Sequence, residues 1–326
     1  MPSSKVMAFT DPSDYEGSVR AADVRVYLTG AGDYQAELTR IDLHELWMQR
    51  SRQSLPQIAH STVRQDRSVI FFLTDAHQEP MRHGGIEVSP GDIIVNSRGA
   101  EHHHRMSSEC RWGAMSLPPE VLAAAGRAIV GRDVVAPAKT KLIRPSAHLM
   151  SRLLNLHETA GHLALTTPDI LAHPEVARAV EQELLGTMIA CLTAGTALQT
   201  DRLGGHLPVM RRFERILEAK EGCPLYVTEV CAEIGVSDRT LRQHCQEHLG
   251  MSPHRYLWLR RMHLARRALT QANPTARTVT EIATSNGFGE LGRFAVAYRK
   301  LFGEPPSATL RRTPDDPSVA KNRAFR

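Results

Sequence analysis

Short runs of β-branched and aromatic residues dominate the first third of the chain. Val24, Val26 and Leu28 alternate with Arg25 and Tyr27, and Val69-Ile70-Phe71-Phe72-Leu73 is an unbroken apolar run. Both lengths suit strands. Gly84-Gly85 predicts a hairpin, and Ser89-Pro90-Gly91-Asp92 predicts a turn before Ile93-Ile94-Val95. Short strands with glycine-rich turns predict a β-barrel or sandwich over about residues 23–117. From about residue 118 the apolar spacing changes to threes and fours, the helical period. Pro118-Pro119-Glu120 opens a short helix carrying Leu122, Ala123 and Ile129. Ser146 is placed to cap a second helix, with Leu149, Leu153, Leu156 and His157 along it. Pro174 opens a longer one to about Ala194, striped by Val176, Val180, Leu184, Ile189 and Leu192. The last two are packing struts or a dimer surface.

Within residues 208–312 the chain repeats itself. Val230-Cys231, Gly235-Val236-Ser237, Leu241, Cys245, Gly250 and Pro253 recur as Ile282-Ala283, Gly287-Phe288, Phe294, Tyr298, Gly303 and Pro306. The offset is 52 residues at first and 53 after one inserted residue, an insertion that costs little inside a turn. Each copy reads as a helix-turn-helix. A small residue (Cys231, Ala283) permits close helix crossing, and a glycine (Gly235, Gly287) allows a left-handed turn. Ser237 is a good N-cap for the second helix. Gly250 and Gly303 close the second helices, and Ser252-Pro253 starts a connecting helix to about Gln271. Trp258, Met262, Ala265 and Leu269 share one face of that helix, with Arg255, Arg260, Arg261, Arg266 and Arg267 mostly off it.

Charge sharpens this picture. The net charge is only +5, but residues 206–312 hold 17 Lys/Arg against 10 Asp/Glu, whereas residues 1–205 hold 20 against 23. A basic C-terminal third predicts a polyanionic partner for that third. Nearly all of its positive charge is arginine, whose planar fork suits phosphates and guanine edges. The five cysteines (Cys110, Cys191, Cys223, Cys231, Cys245) include no CxxC pair, which argues against a zinc ribbon or a disulfide framework and for a reducing cytoplasm. No long apolar run or secretory leader is evident, so no membrane association is expected.

Residues 208–312 resemble the DNA-binding domain of the AraC/XylS family of bacterial transcription regulators. The resemblance rests on residues 236–241 (Val236-Ser237-Asp238-Arg239-Thr240-Leu241), residues 250–257, Ile282-Ala283 through Gly287-Phe288, and above all residues 294–306, which begin Phe294-Ala295-Val296-Ala297-Tyr298. The N-terminal two thirds resemble the family's β-rich sensor and dimerisation domain more loosely. The resulting expectation is an α+β chain. It has a flexible N-terminus (1–20), a cupin-like sensor domain with C-terminal helices (21–200), a linker (201–207), an all-α double helix-turn-helix domain (208–312) and a flexible tail (313–326). The resemblance implies a regulator, with activation as the favoured sign. It also implies double-stranded DNA and RNA polymerase as partners, a small-molecule effector, a homodimer, no cofactor and no catalytic role.

The second helix of each unit is expected in the major groove. In the first unit the outward positions include Arg239, Thr240, Arg242, Gln243 and Gln246, and the family's base-contacting positions fall on Arg239, Arg242 and Gln243. Arginine pairs with guanine and glutamine with adenine. In the second unit the outward positions include Gly289, Glu290, Gly292, Arg293 and Val296. The family usually has a small hydroxyl residue where Gly292 stands and often a polar one at Val296, so only Glu290 and Arg293 offer hydrogen-bonding code. Arg299 and Lys300 are expected toward phosphates, and Thr228 and Thr280 are candidate phosphate contacts or N-caps. The first unit is therefore expected to supply more of the sequence choice.

Glu101-His102-His103-His104, with His77 and His83 nearby, raises a metal reading, since alternate strand residues share a side. The favoured expectation is a polar loop without metal. Two other functions stay open: a cupin-like metal enzyme fused to a DNA-binding end, and an architectural DNA-binder without site preference. No GxSxG, phosphate loop or HExxH supports the first.

Overall fold

The computed structural model describes residues 2–198, 203–221 and 225–311, with the backbone alone for 203–207. The strands are β1 (Ser3–Phe9), β2 (Ala22–Leu28), β3 (Ala36–Asp42), β4 (Trp47–Gln53), β5 (Gln57–Val63), β6 (Ser68–Leu73) and β7 (Met81–His83), followed by β8 (Ile86–Val88), β9 (Ile93–Val95), β10 (Glu101–Met106), β11 (Cys110–Leu117), β12 (Lys141–Arg144) and β13 (Thr196–Leu198). They form two antiparallel sheets, ordered β1-β3-β4-β11-β6-β9-β12-β13 and β2-β5-β10-β7-β8. The expected hairpin at Gly84-Gly85 joins β7 to β8.

The helices in this half are α1 (Pro12–Glu16), α2 (Pro119–Val130), α3 (Ala147–Thr166), α4 (Pro168–Ala172) and α5 (Pro174–Ala194). The larger sheet is covered on both faces, which is why β6 reads as an unbroken apolar run. Phe72 and Ile70 point outward to Met150, Leu153, Leu184 and Met188 of α3 and α5. Phe71 points inward, toward the smaller sheet and a cavity between the two. Ser146 caps α3 and Pro174 stands in the first turn of α5, as their sequence positions suggest. The two helices lie against each other and against the sheet, acting as struts.

The C-terminal helices are α6 (Leu203–Ala219), α7 (Val227–Ile234), α8 (Asp238–Leu249), α9 (Pro253–Gln271), α10 (Val279–Ser285), α11 (Leu291–Phe302) and α12 (Pro306–Arg311). They pack against the outer face of the smaller sheet, and one apolar core runs from Val26, Tyr27 and Ile58 into Phe213, Tyr256 and Met262. The layers are therefore α3 and α5, larger sheet, smaller sheet, then the helix-turn-helix units.

Three expectations need correction. Residues 1–20 are no loose end. Strand β1 pairs with β3 along its length, and Asp11 caps α1 through a 2.8 Å bond from the Ser13 amide. The Ser- and Asp-rich composition conceals an edge strand whose partner residues lie 27 to 39 positions away in sequence. Nor does the N-terminal domain end in helices alone: after α5, Thr196–Leu198 forms β13 beside β12. Of the expected linker, residues 203–207 are the first turns of α6 and residues 201–202 lie outside the described residues. The expected tail, 313–326, also lies outside them.

Candidate nucleic-acid interface and the buried network behind it

The two repeats fold alike. Gly235 and Gly287 adopt φ of 79° and 80°, the left-handed conformation that glycine enters without a Cβ penalty. Val236 donates its amide to the Cys231 carbonyl and Phe288 donates to Ala283, each at 3.0 Å. Ser237 then caps α8 by accepting from the Thr240 amide at 3.1 Å. The second unit has no equivalent, for Glu290 precedes α11 without a side-chain cap. Leu241 and Cys245 in α8, and Phe294 and Tyr298 in α11, turn to the core. Gly250 and Gly303 close these helices in left-handed geometry, at φ of 69° and 77°.

That inward stripe leaves the opposite face to solvent. Arg239, Arg242, Gln243 and Gln246 are exposed on α8, and Thr240 is half-exposed beside its bond to Ser237. Arg242 pairs with Asp238 at 2.8 Å, and Gln243 donates to Glu247 at 3.0 Å. Such exposed pairs contribute little to stability, so these side chains are available to another partner. On the second unit, Glu290, Arg293, Arg299 and Lys300 are exposed and Val296 is 72% exposed. Arg293 pairs with Glu290 at 3.0 Å.

Thr228 and Thr280 are exposed at the second positions of α7 and α10, and neither is an N-cap. Tyr226 precedes α7 without a side-chain cap. Thr278 caps α10, in a reciprocal arrangement with Glu281. The capping-box spacing of Thr278 and Glu281 was the sequence signal for this.

Sequence reasoning missed the other face of the C-terminal helices. Arg260 and Arg266 on α9 were expected off the buried stripe but are 6% and 7% exposed. Helix α9 is wedged between the helix-turn-helix units and the N-terminal half, so it buries two faces. Arg260 donates to Glu214 of α6 at 2.6 Å, Arg266 to Asp11 at 3.1 Å and Arg267 to Glu16 at 2.7 Å. Burial alone would push the Glu214 carboxyl up, but Arg260 foremost, then His60 and His103, hold it well below the usual carboxylate range.

The histidine run is strand, not polar loop. In β10, His102 and His104 face the interior while His103 faces the C-terminal helices. His83 joins the inner pair, its Nδ1 standing 3.2 Å from that of His104, whereas His77 is exposed in a turn. Ser61 lies 2.8 Å from His104 Nε2 and Thr140 lies 3.1 Å from His102 Nε2. Burial lowers His102 and His104 to about 3, so both are neutral near pH 7. His103 Nε2 meets Glu214 Oε1 at 2.8 Å, and His60 is its direct cross-strand partner.

The helix-turn-helix domain family matches residues 230–312, which span both exposed helices and the connecting helix. The probable thc operon regulatory protein of Rhodococcus erythropolis is 36% identical over 163 residues, 49% of each chain. A XylDLEGF operon transcriptional activator of Pseudomonas putida is 39% identical over 103 residues, 31% of each chain. The chain thus spans half or less of the length of these relatives. A crystal structure of a probable AraC family transcriptional regulator from Rhodopseudomonas palustris is 36% identical. That match covers 32% of this chain and 95% of that one, at a TM-score of 0.29. Residues 230–312 thus form a helix-turn-helix domain, two glycine-pivoted units joined by α9, similar to that of the AraC/XylS-type regulators.

Proposed function

We propose that this chain is a sequence-specific transcription regulator that reads two adjacent major-groove segments of duplex DNA per subunit. The observation that carries the reading is the matched pair α8 and α11. Each is fixed by the same glycine turn, and each presents side chains suited to base edges on its exposed face. Arg239, Arg242, Gln243 and Gln246 have donors for guanine and adenine edges, with Thr240 beside them. Arg293, Glu290 and Val296 would give the second unit a sparser code, and exposed Arg299, Lys300, Thr228 and Thr280 would meet phosphates. Two heads on one helix should meet the same side of the duplex about 34 Å apart.

The reading extends to an activator that contacts RNA polymerase, works as a homodimer in the cytoplasm and answers to a small molecule. Activation is supported by the names of the XylDLEGF relatives. An effector is supported by a cavity of about 80 Å³ between the sheets, walled by Val24, Val26, Ala59, Phe71, Met106 and Trp112. Gln49 and Gln57 are among its lining residues, and Gln49 Nε2 and Gln57 Oε1 are buried without a hydrogen-bond partner among the described residues. Buried polar atoms are seldom left so, and a small, largely apolar molecule with a polar group would satisfy them.

The test is selection of bound sequences from random duplex DNA by the full chain, followed by footprinting. A recurrent two-part site of about 20 base pairs per subunit, two turns of the helix, is expected. Binding of all sequences alike would replace this reading with an architectural one.

A further inference from the structure

We propose that His60, His103 and Glu214, with Glu218 closing from the rim, form a site for one zinc-class divalent cation that clamps the smaller sheet to α6. The ligand set comes from two independent pieces of backbone geometry. His60 and His103 are opposite one another in the β5–β10 ladder, so both imidazoles leave the same face of the sheet. Their ring centroids are 5.0 Å apart. Glu214 and Glu218 are four residues apart on α6, so both carboxylates leave the same face of that helix.

These two pairs meet. His103 Nε2 is 2.8 Å from Glu214 Oε1, and His60 Nδ1 is 3.8 Å from Glu218 Oε1. One ligand atom from each of His60, His103 and Glu214 lies within 4.8 Å of the other two. Tetrahedral bonds of about 2.0–2.1 Å put neighbouring ligand atoms about 3.4 Å apart, so only small side-chain shifts are needed. A void of about 10 Å³ lies against His60, His103 and Glu214, close to the smallest space that holds a single water-sized occupant.

The donor chemistry selects the cation. Two imidazoles with carboxylates suit zinc and its first-row neighbours, whereas magnesium and calcium prefer oxygen alone. Arg260 occupies the other oxygen of Glu214 at 2.6 Å, leaving Oε1 to face the imidazoles. Arg260 thus orients the ligating carboxylate from outside the first shell. The inner cluster of His83, His102 and His104 brings no carboxylate and lies on the opposite side of β10. Because the ligands come from the sheet and from α6, an ion here would couple the β-rich half directly to the helix-turn-helix units.

The site does not depend on the DNA-binding reading, and its test contains no DNA. The full chain, purified without a histidine tag and stripped with chelator, is titrated with cobalt(II). Saturation at one equivalent with the visible bands of a tetrahedral complex, bleached by added zinc(II), is expected. His60→Gln and His103→Gln should each weaken cobalt binding tenfold or more, and Glu218→Gln should weaken it less. His83→Gln should leave it unchanged. Glu218 is largely exposed, so its variant tests the site even where a core substitution impairs folding. No saturable uptake by the folded chain would overturn the proposal. So would uptake that survives His60→Gln and disappears with His83→Gln.

Discussion

Arg260 on the connecting helix and Glu214 on α6 form a 2.6 Å ion pair that is almost wholly removed from solvent. Their neighbours, Tyr256, Tyr27 and His103, make this the polar centre of the contact between the two halves. Removing one member leaves a buried charge without its partner, which costs about 3–5 kcal/mol. Arg260→Leu and Glu214→Gln should each lower unfolding stability by that order, read from urea transitions. The double variant should recover part of the loss, since the two residues act as one unit. Strictly additive losses would show that the pair is not coupled.

The turn glycines allow a graded test. A Cβ at Gly235 would meet nothing within 4 Å, so Gly235→Ala carries only the left-handed backbone cost of about 1–2 kcal/mol. A Cβ at Gly250 would stand 1.7 Å from Nη1 of Arg105 on β10. Gly250→Ala therefore adds displacement of a side chain at the contact between the halves. Thermal melts should rank Gly250→Ala below Gly235→Ala, and the reverse order would contradict the packing at Arg105.

On DNA, Arg242→Ala should cost about 1–3 kcal/mol at the selected site and relax the choice at one base position. Lys300→Ala should weaken binding to all sequences similarly and reduce the salt slope by about one. Base-by-base binding measurements at several salt concentrations separate the two. A larger loss of specificity from Arg293→Ala than from Arg242→Ala would reverse the assigned division between the units.

Burial lowers the imidazoles of His157 and His263 to about 3, below the value near 6.5 of an unfolded chain. Between those limits the unfolded chain binds a proton that the folded one does not, so stability rises with pH there. Stability should be flat above about pH 6.5 and fall below it, each histidine contributing about 1.4 kcal/mol per pH unit. Urea midpoints between about pH 7 and about pH 5 test this. His157→Gln should flatten the decline, and an unchanged slope would exclude His157 as a source.

The C-terminal repeat was legible because its signals are local. A left-handed turn demands Gly235 and Gly287, a helix start favours Ser237 and Ser252, and the stripe of Leu241 and Cys245 lies within one helix. The exposed face of α8 then follows by subtraction. The capping of α10 was misplaced by two residues because Thr278 and Thr280 are both plausible until one is seen to accept the Glu281 amide.

Other features depend on partners distant in sequence. Composition alone made residues 3–9 look loose, and only pairing with β3 makes them a strand. Three successive histidines looked polar, yet strand alternation sends His103 to one side of the sheet and His102 and His104 to the other, all of them buried.

By itself the sequence determined the two hooks, the helix between them and the residues they display, because backbone conformation and helical period act within a few residues. Only the tertiary structure decided that α9 has a second buried face and that Glu214 meets both Arg260 and His103. It also decided that two sheets enclose a cavity lined with unsatisfied amides. Such contacts join residues 111 positions apart, as His103 and Glu214 are, or 255 apart, as Arg266 and Asp11 are, and no local preference encodes which buried charge meets which partner across that distance.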